Sequence, residues 1–215
     1  MKNKVAIIVY HKNANKIYPE HWIEQFRKSI YDQTYDKFDI MEINYGMDDF
    51  RIFTDSSFLC LKKDSFVDVM NEMISACFKL GYKYVFNTNV DDFYSPIRVE
   101  KQLEALEAGY DLVSSNFALV DTSGGIMNTH EFQNLSINAE LNKDHNIICH
   151  PVVAYSKKFW ANNRYVPGEV PFEDLKLWQR SIADNKFIIL PDTLCYHRIH
   201  GNMVSGENTN RNEII

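Results

Sequence analysis

Hydrophobic residues in the first half of the chain form two alternating patterns. Three segments have the length and composition of strands, and the stretches between and after them carry apolar side chains every three or four positions, as amphipathic helices do. The predicted strands are residues 5–10, a continuous apolar run as expected for a strand buried on both faces, 38–45 and 84–89, and the helical stretches are residues 20–32, 64–81 and 95–109. The alternation predicts a parallel sheet with right-handed crossover connections.

Residues that favour helix ends bound two of these helices. Asp64 is expected to cap the second helix, and Ser95-Pro96 to start the third, because Pro suits the first helical turn. Gly81 and Gly109 are expected just after the C-terminal ends, where glycine adopts a left-handed conformation at little cost.

The second half predicts a mixed arrangement. Strands are expected at residues 111–120, 147–155 and 186–190, around one helix at residues 172–183. The fold class is therefore predicted to be α/β, with a Rossmann-like, mostly parallel sheet flanked by helices and a smaller mixed sheet. Residues 206–215 lack periodicity and are predicted to be a flexible tail.

Composition narrows the class of protein. The 215 residues are 45% hydrophobic and 24% charged, which is typical of one globular domain and excludes wholesale disorder. With 23 Lys and Arg against 29 Asp and Glu, the net charge is −6, so binding to nucleic acid through neutralised phosphates is not expected. Small molecules or neutral polymers are the expected ligands.

Cysteine spacing and the N-terminus predict the compartment. Cys60, Cys77, Cys149 and Cys195 stand singly, which indicates reduced core thiols rather than a disulfide framework or a zinc ribbon. The apolar run at residues 5–10 is too short for a signal peptide or a membrane span. A cytoplasmic protein without a transmembrane segment is expected, with peripheral membrane contact if its substrate is a lipid.

An acidic pair follows the third predicted strand. In residues 87–92 (NTNVDD), the two carboxylates come at the carboxyl end of a strand, where open α/β sheets bind ligands. Mg²⁺ is typically held by one or two carboxylates together with substrate phosphates, and Mn²⁺ also prefers oxygen ligands. The pair predicts either a metal site or an exposed acidic turn that caps the next helix.

A second acidic pair begins the helix predicted at residues 172–183. Glu173 and Asp174 would lie in its first turn, where the helix dipole favours the ionised carboxylate. A general base needs that form at neutral pH. Ordinary compensation of the dipole is the alternative interpretation.

Histidine and arginine cluster near residue 200. His197, Arg198 and His200 are able to bind a metal or a pyrophosphate. Strand alternation places the two histidines on opposite faces, so that only one is expected to serve the site. Surface histidines without a ligand are the alternative, and a structural role is the default interpretation of His150, which precedes Pro151.

The order of these segments over residues 4–205 resembles the family 2 glycosyltransferases of the GT-A fold. After a buried first strand, the segments that carry the resemblance are SIYDQTY at 29–35, NVDD at 89–92, CHPVV at 149–153, EDLKLWQR at 173–180 and YHRIH at 196–200. The second is similar to the family's D-x-D-D metal motif and the fourth to its ED-x-x-LWxR motif.

This resemblance implies a metal-dependent, inverting transfer of a sugar from a nucleotide diphosphate sugar to an acceptor hydroxyl. A UDP-sugar is the favoured donor, and the acceptor is a glycan, a protein or a lipid. The resemblance also implies one GT-A domain over residues 1–205, with a nucleotide-binding half at 1–92 and an acceptor and catalytic half at 93–205.

Residue roles are implied by position in the motifs. Asp91, Asp92 and His200 are implied as ligands of Mn²⁺ or Mg²⁺. Asp174 is implied as the base that removes the acceptor proton, with Glu173 as the second choice. The residues implied to contact the nucleotide and its diphosphate are Tyr10, His11, Asn44, Asn71, Asn89, Val90, Asp91, Arg180 and Arg198.

Three positions differ from the family pattern. Asn44 stands near the place of an acidic pair that usually closes the second strand, Asn89 replaces the first acid of the metal motif, and residues 10–12 (YHK) replace a small polar motif. A catalytically decayed nucleotide-sugar or glycan binding module is therefore the alternative function. A nucleotidyltransferase is disfavoured, because residues 11–15 contain no glycine for a phosphate-binding loop. The oligomeric state stays open.

Overall fold

The described part of the chain, residues 4–132 and 135–201 of a computed structural model, contains one large mixed sheet with helices on both faces. Its strands are β1 (Val5–His11), β2 (Phe38–Asn44), β3 (Ser57–Cys60), β4 (Tyr84–Phe86), β5 (Phe93–Tyr94), β6 (Leu112–Val120), β7 (Ile126–His130), β8 (Ala154–Ser156) and β9 (Phe187–Arg198). Its helices are α1 (Ala14–Ile17), α2 (Glu20–Tyr31), α3 (Phe66–Lys79), α4 (Arg98–Glu107), α5 (Ile137–Leu141), α6 (Lys157–Asn162) and α7 (Glu173–Ser181).

Strand directions bring three carboxyl ends to one edge of the sheet. The strand order is β3-β2-β1-β4-β8-β6-β9-β5, with β7 paired to β6. The pairs among β1 to β4 are parallel, β8 is antiparallel to both β4 and β6, and β9 is parallel to β6. Because direction reverses twice through β8, the strands β1, β4 and β9 run the same way. Their carboxyl ends therefore share an edge.

The core lies on both faces of this sheet. In β1, Ile7 packs in a cluster with Phe26 of α2, whereas its neighbour Ile8 packs on the other face in a cluster with Met70 of α3 and Trp178 of α7. All five side chains are buried. Burying a side chain of this size contributes about 1.5–3 kcal/mol. Helices on both faces explain why β1 is a continuous apolar run rather than an alternating one.

The strands and helices predicted for the first half are confirmed, but two helix starts were predicted wrongly. Ser65 rather than Asp64 caps α3, since its hydroxyl accepts a hydrogen bond from the N–H of Asp68 at 3.2 Å. Helix α4 begins at Arg98, not at Ser95-Pro96, because the intervening residues form a turn. The two predicted C-terminal glycines do follow α3 and α4 with φ angles of +98° and +96°.

The mixed second half is confirmed with different element lengths. The strand predicted at residues 147–155 was largely wrong: a 3₁₀ turn occupies His150–Val152, and only Ala154–Ser156 is a strand. Pro151 explains this difference, because it has no N–H to donate to a ladder. The last strand continues to Arg198, since it pairs with β6 along its length. The sequence did not predict β3, β5 or β7, and the predicted tail at 206–215 lies outside the described residues.

The cysteines are thiols, as predicted, but they are not all in the core. Cys77, Cys149 and Cys195 are buried, whereas Cys60 is exposed because it lies on the edge strand β3. Among the described residues, no helix combines the length and apolar character needed to cross a membrane.

Candidate active site

A cavity of about 570 Å³ opens at the sheet edge where β1 and β4 end. The residues of its wall come from the ends of these strands, the turn after β4, the start of α7 and the end of β9. The predicted site residues that line it are Tyr10, His11, Asn89, Val90, Asp91, Glu173 and Asp174. Segments that are more than 160 positions apart in sequence thus meet at the edge where open α/β sheets bind ligands.

Asp91 lies in the cavity wall beside a fixed histidine. Its Oδ2 atom is 2.9 Å from Nε2 of His200. The imidazole of His200 packs against the rings of Trp22, at 5.0 Å between centroids, and Tyr18, at 5.9 Å. These aromatic contacts hold the imidazole next to one oxygen of the carboxylate.

Asp92 has a different environment from its neighbour. It is buried, its Oδ1 accepts a hydrogen bond from the N–H of Arg198 at 2.8 Å, and Nδ1 of His197 lies 3.0 Å from the same oxygen. Burial alone would lower the pKa of His197, but the carboxylate of Asp92 outweighs it and raises that pKa to about 9. Asp92 thus ties the turn after β4 to β9. The metal-binding role expected for it is not supported, because both its oxygens face this imidazole.

Strand alternation predicted that only one histidine of the YHRIH segment serves the site, but both contact the acidic pair. Strand β9 ends at Arg198, so the alternation does not extend to His200. His197 therefore reaches Asp92 from the strand, and His200 reaches Asp91 from the turn that follows.

Arg198 is a structural cation. It is 1% exposed, and its Nε donates to the carbonyl of Asp91 at 2.9 Å. Its Nη1 donates to the carbonyls of Asp121 and Thr122, each at 3.1 Å, and its Nη2 donates to Oε1 of Gln25 at 2.6 Å. These bonds occupy the guanidinium with groups of the protein itself, so the expected contact with a diphosphate is not supported.

Glu173 and Asp174 form the opposite acidic pair, in the first turn of α7. Glu173 is 7% exposed, and its Oε2 has no hydrogen-bond partner among the described residues. Burial raises the pKa of Glu173 to about 6. Oδ1 of Asp174 accepts a hydrogen bond from the N–H of Leu175 at 2.6 Å. At the start of α7, the backbone therefore holds the carboxylate of Asp174, whereas the carboxylate of Glu173 has one oxygen without a partner among the described residues.

His150, which also lines the cavity, and Asn71 both bond to the buried Tyr165. Nε2 of His150 lies 3.0 Å from the hydroxyl of Tyr165, which contacts the hydroxyl of Tyr155. Burial lowers the pKa of His150, which favours the neutral imidazole. The amide of Asn71 bonds to both the carbonyl of Tyr165, at 2.9 Å, and its N–H, at 3.1 Å. Asn71 therefore supports the wall, and its expected contact with a nucleotide base is not supported.

The ends of β1 and β4 are linked at the cavity. The hydroxyl of Tyr10 donates to Oδ1 of Asn89 at 3.2 Å. Nδ1 of His11 accepts from the N–H of Ala14 at 3.3 Å, so its Nε2 carries the proton and donates to Glu42 at 3.1 Å. Burial alone would raise the pKa of Glu42, but hydrogen bonds from His11 and from the loop after β2 outweigh it and lower that pKa.

Asn44 lies under a loop rather than in the cavity wall. Its Oδ1 accepts hydrogen bonds from the N–H groups of Asn13 and Gly46, at 3.1 and 3.0 Å. Its Nδ2 donates to the carbonyls of Asp48 and Phe50, at 2.9 and 3.1 Å. These bonds to the backbone use both donors and the oxygen of the amide, so the nucleotide contact expected for Asn44 is not supported.

The guanidinium of Arg180 also forms structural contacts within the protein. Its Nη1 donates to Oε2 of Glu169 at 2.7 Å, and its Nη2 donates to the carbonyl of Arg164 at 2.6 Å. It does not belong to the cavity wall, because it lies in the last turn of α7 while Glu173 and Asp174 lie in the first.

Sequence reasoning missed two residues that shape the site. Asn146 lines the cavity and donates to Oδ2 of Asp174 at 2.9 Å. No local pattern marks it, since its partner is on a distant helix. Glu42, the partner of His11, did carry a signal: a charged residue inside a buried strand is rarely unpaired.

A divalent metal ion fits this site only together with a substrate. Within residues 4–132 and 135–201, no three His, Cys, Asp or Glu side chains form a group that could hold an ion by themselves. Asp91 and His200 nevertheless offer a carboxylate and an imidazole as neighbours. Mg²⁺ is commonly held by one or two carboxylates with substrate phosphates completing its shell, and an imidazole also suits transition metals.

Comparison with known proteins supports the same fold. No protein-family model matches the chain. It is 26% identical over 230 residues to an uncharacterized glycosyltransferase of Haemophilus influenzae, a match that covers 94% of this chain and 67% of that protein. It superposes on S. aureus TarS 1-349 in complex with UDP-GlcNAc with a TM-score of 0.67 at 14% identity, over 97% of this chain and 62% of that one. The chain has the fold of the GT-A glycosyltransferases.

A second solved glycosyltransferase has a similar fold. The mannosyltransferase PcManGT from Pyrobaculum calidifontis, in complex with GDP-Man and Mn²⁺, has a TM-score of 0.62 at 12% identity, over 94% of this chain and 59% of that one. The chain spans less than two thirds of the length of either solved structure. The predicted α/β class and the resemblance to glycosyltransferases are confirmed.

Proposed function

We propose that this chain is a metal-dependent, inverting family 2 glycosyltransferase, which moves a sugar from a nucleotide diphosphate sugar to an acceptor hydroxyl of a glycan, protein or lipid. The observation that carries the proposal is that Asp91 and Asp174 line one cavity at the carboxyl edge of the sheet. Displacement at an anomeric carbon needs charge compensation at the leaving diphosphate and a base at the incoming hydroxyl. The two carboxylates meet these two needs.

The donor is proposed to lie against the ends of β1 and β4. Tyr10 and Asn89 would contact the nucleoside, and Lys12, which also lines the cavity, adds a cation there. Asp91 and His200 would hold Mn²⁺ or Mg²⁺. When bound, the ion supplies positive charge that offsets the charge of the diphosphate. The TarS complexes with UDP and UDP-GlcNAc support a UDP-sugar, and the PcManGT complex supports a divalent ion.

Asp174 is proposed as the general base. Its carboxylate takes the proton of the acceptor hydroxyl as the oxygen bonds to the anomeric carbon and the bond to the diphosphate breaks. One displacement of this kind inverts the configuration of that carbon. Glu173 is the second candidate, because burial raises its pKa to about 6, close to neutral pH.

The reaction is proposed to take place in the cytoplasm. The reduced state of the thiols of Cys77, Cys149 and Cys195 supports a reducing compartment, since disulfides form mainly in oxidising ones.

The test of the donor site is a thermal-shift panel of UDP, GDP, CDP, ADP and dTDP, each with and without Mn²⁺. Ligand binding to the folded state raises the melting temperature by mass action, so no acceptor is needed. The panel compares the wild type with Asp91→Ala and with the control Asp64→Ala, which removes an exposed carboxylate outside the cavity. A shift that needs Mn²⁺ and Asp91 is expected for one nucleotide.

Four other outcomes count against parts of the proposal. No shift with any nucleotide contradicts the donor site, and a shift that survives Asp91→Ala contradicts the proposed position of the ion. If Asp174→Asn leaves the rate of UDP release from a bound UDP-sugar unchanged, Asp174 is not the base. If UDP binds and no UDP-sugar is turned over, the chain is the alternative, a binding module.

A further inference from the structure

We propose that the acceptor is an uncharged sugar ring, which stacks on Phe172 and donates a hydrogen bond to Glu173 beside the hydroxyl that Asp174 deprotonates. This proposal rests on the proposed glycosyltransferase function. It narrows the acceptor from a glycan, protein or lipid to a neutral carbohydrate.

Phe172 is an exposed aromatic residue in the cavity wall. It immediately precedes α7 and is 53% exposed, whereas Trp178 of the same helix is fully buried in the core. It lies there beside Glu173 and Asp174, and pockets that bind small molecules combine aromatic walls with a few placed polar groups in this way. A pyranose presents C–H groups on its faces, and these groups pack against the electron-rich face of an aromatic ring.

Glu173 supplies the second contact. The residue is 7% exposed, and its buried Oε2 lacks a partner within the part of the chain that the structure describes. A buried polar atom without a partner is destabilising, so such an atom in a cavity wall indicates a missing ligand group. A substrate hydroxyl is the donor that this oxygen lacks.

The spacing of the two carboxylates favours a sugar over a simple alcohol. Glu173 and Asp174 are consecutive, and both line the cavity. Sugars carry hydroxyls on adjacent carbons, so one hydroxyl can donate to Glu173 while its neighbour gives its proton to Asp174. The single hydroxyl of a serine or a fatty alcohol would leave Oε2 unpaired, and sites built to hydrogen-bond a hydroxyl reject ligands that lack it.

The charge of this wall favours a neutral ring. Asp144, Glu173 and Asp174 all line the cavity here. Nζ of Lys176 lies 3.7 Å from Asp144 and offsets one of the three charges, while burial lowers the pKa of His150 and favours its neutral form. Among the described residues, Glu173 and Asp174 are thus left without a cation at the helix start, whereas the cations of the cavity wall, Lys12 and His197, lie with Asp91 at the strand ends. A phosphate or uronate group on the acceptor would meet electrostatic repulsion.

The experiment is saturation-transfer NMR on the full chain at pH 8 with UDP and Mg²⁺. The probes are the methyl β-glycosides of glucose, galactose, mannose and N-acetylglucosamine, together with methyl β-D-glucuronide, which differs from the glucoside only by a carboxylate. The variants are Phe172→Ala, Phe172→Trp and Glu173→Gln. The control is Val170→Ala, which trims an exposed apolar residue outside the cavity wall.

We expect at least one neutral glycoside to bind, with the glucuronide weaker by about tenfold or more. Phe172→Ala should weaken binding of that glycoside by about tenfold, Phe172→Trp should restore it, and Val170→Ala should have no effect. Glu173→Gln removes one charge and should narrow the difference between glucoside and glucuronide.

Equal binding of glucoside and glucuronide would overturn the proposal. Binding of the neutral glycoside by Phe172→Ala as strongly as by Val170→Ala would also overturn it. A third contradicting result is that none of the four neutral glycosides binds to the wild type, although UDP gives the wild type a Mg²⁺-dependent thermal shift. If the wild type shows no thermal shift with UDP, the proposed function is overturned as well. The two failures are therefore distinguishable.

Discussion

Nδ2 of Asn146 donates a hydrogen bond to Oδ2 of Asp174 over 2.9 Å, although the two residues are 28 positions apart. Oδ1 of Asn146 accepts from the N–H of Ile148 at 3.2 Å, which fixes the orientation of the amide. The other oxygen of Asp174 accepts from the N–H of Leu175. Both oxygens of the proposed base are thus held in place before any substrate binds.

The first prediction is that Asn146→Ala slows catalysis without weakening donor binding. The change frees the carboxylate of Asp174 to rotate, so kcat for UDP release should fall by about ten- to hundredfold, less than the loss of a general base itself. The UDP thermal shift should be unchanged. Asn138→Ala, an exposed residue of α5, is the control. A normal kcat in Asn146→Ala would show that this hydrogen bond does not position the base.

The second prediction separates the two carboxylates of the acidic pair. Asp92→Ala removes the buried carboxylate that pairs with half-buried His197 and holds the N–H of Arg198, so it should lower the free energy of unfolding by about 3–5 kcal/mol. Asp91→Ala, whose side chain is 14% exposed, should lower it by only about 1 kcal/mol and abolish Mn²⁺-dependent UDP binding. Urea denaturation and the thermal-shift panel measure the two effects. The reverse pattern would exchange the roles of the two residues.

The third prediction concerns stability against pH. The pKa of Glu173 rises from 4.5 to about 6 on folding, so the folded chain binds this proton more tightly than the unfolded chain. The associated stability is fully present below pH 4.5 and is lost as pH rises to 6. Glu173→Gln should remove this loss and be more stable than the wild type at pH 7, by up to about 2 kcal/mol.

Urea denaturation at pH 4, 5, 6 and 7 checks this third prediction. The difference between Glu173→Gln and the wild type should be smallest at pH 4 and should grow up to pH 6 or 7. Glu104→Gln, which alters an exposed carboxylate on α4, is the control. A constant difference across the series would contradict the raised pKa.

The fourth prediction tests the structural role of Arg198. Arg198→Lys cannot reproduce the planar set of bonds to Asp91, Asp121 and Gln25, so it should lower the free energy of unfolding by about 2–3 kcal/mol. Arg180→Lys alters a half-exposed pair and should cost less than about 1 kcal/mol. Equilibrium denaturation measures both costs, and UDP affinity should persist in both variants. If Arg198→Lys were stable but weak in UDP binding, Arg198 would contact the diphosphate.

Several positions in the site could be predicted from sequence because they depend on local order. Asp91 follows an apolar strand, and Asp174 starts a helix with a periodic apolar face, so both were placed at element ends that line the cavity. Asn44 and Arg198 also lie at the ends of strands, yet their side chains form hydrogen bonds to backbone carbonyls of the protein instead of lining the cavity. Nothing in their local sequence distinguishes a residue that binds a loop from one that binds a ligand.

The sequence by itself determined the alternation of β1, α2, β2, α3, β4 and α4, the two-sided burial of β1 and the placing of acids at strand and helix ends. These features follow from spacing along the chain, because burial of one face repeats with the period of the element. Tertiary structure alone decided that Asp91 faces the cavity while Asp92 binds His197, that Asn146 meets Asp174, and that β9 continues beside β6. Each of these depends on which distant group satisfies a buried polar atom or an open strand edge, and that is fixed only when the chain has folded.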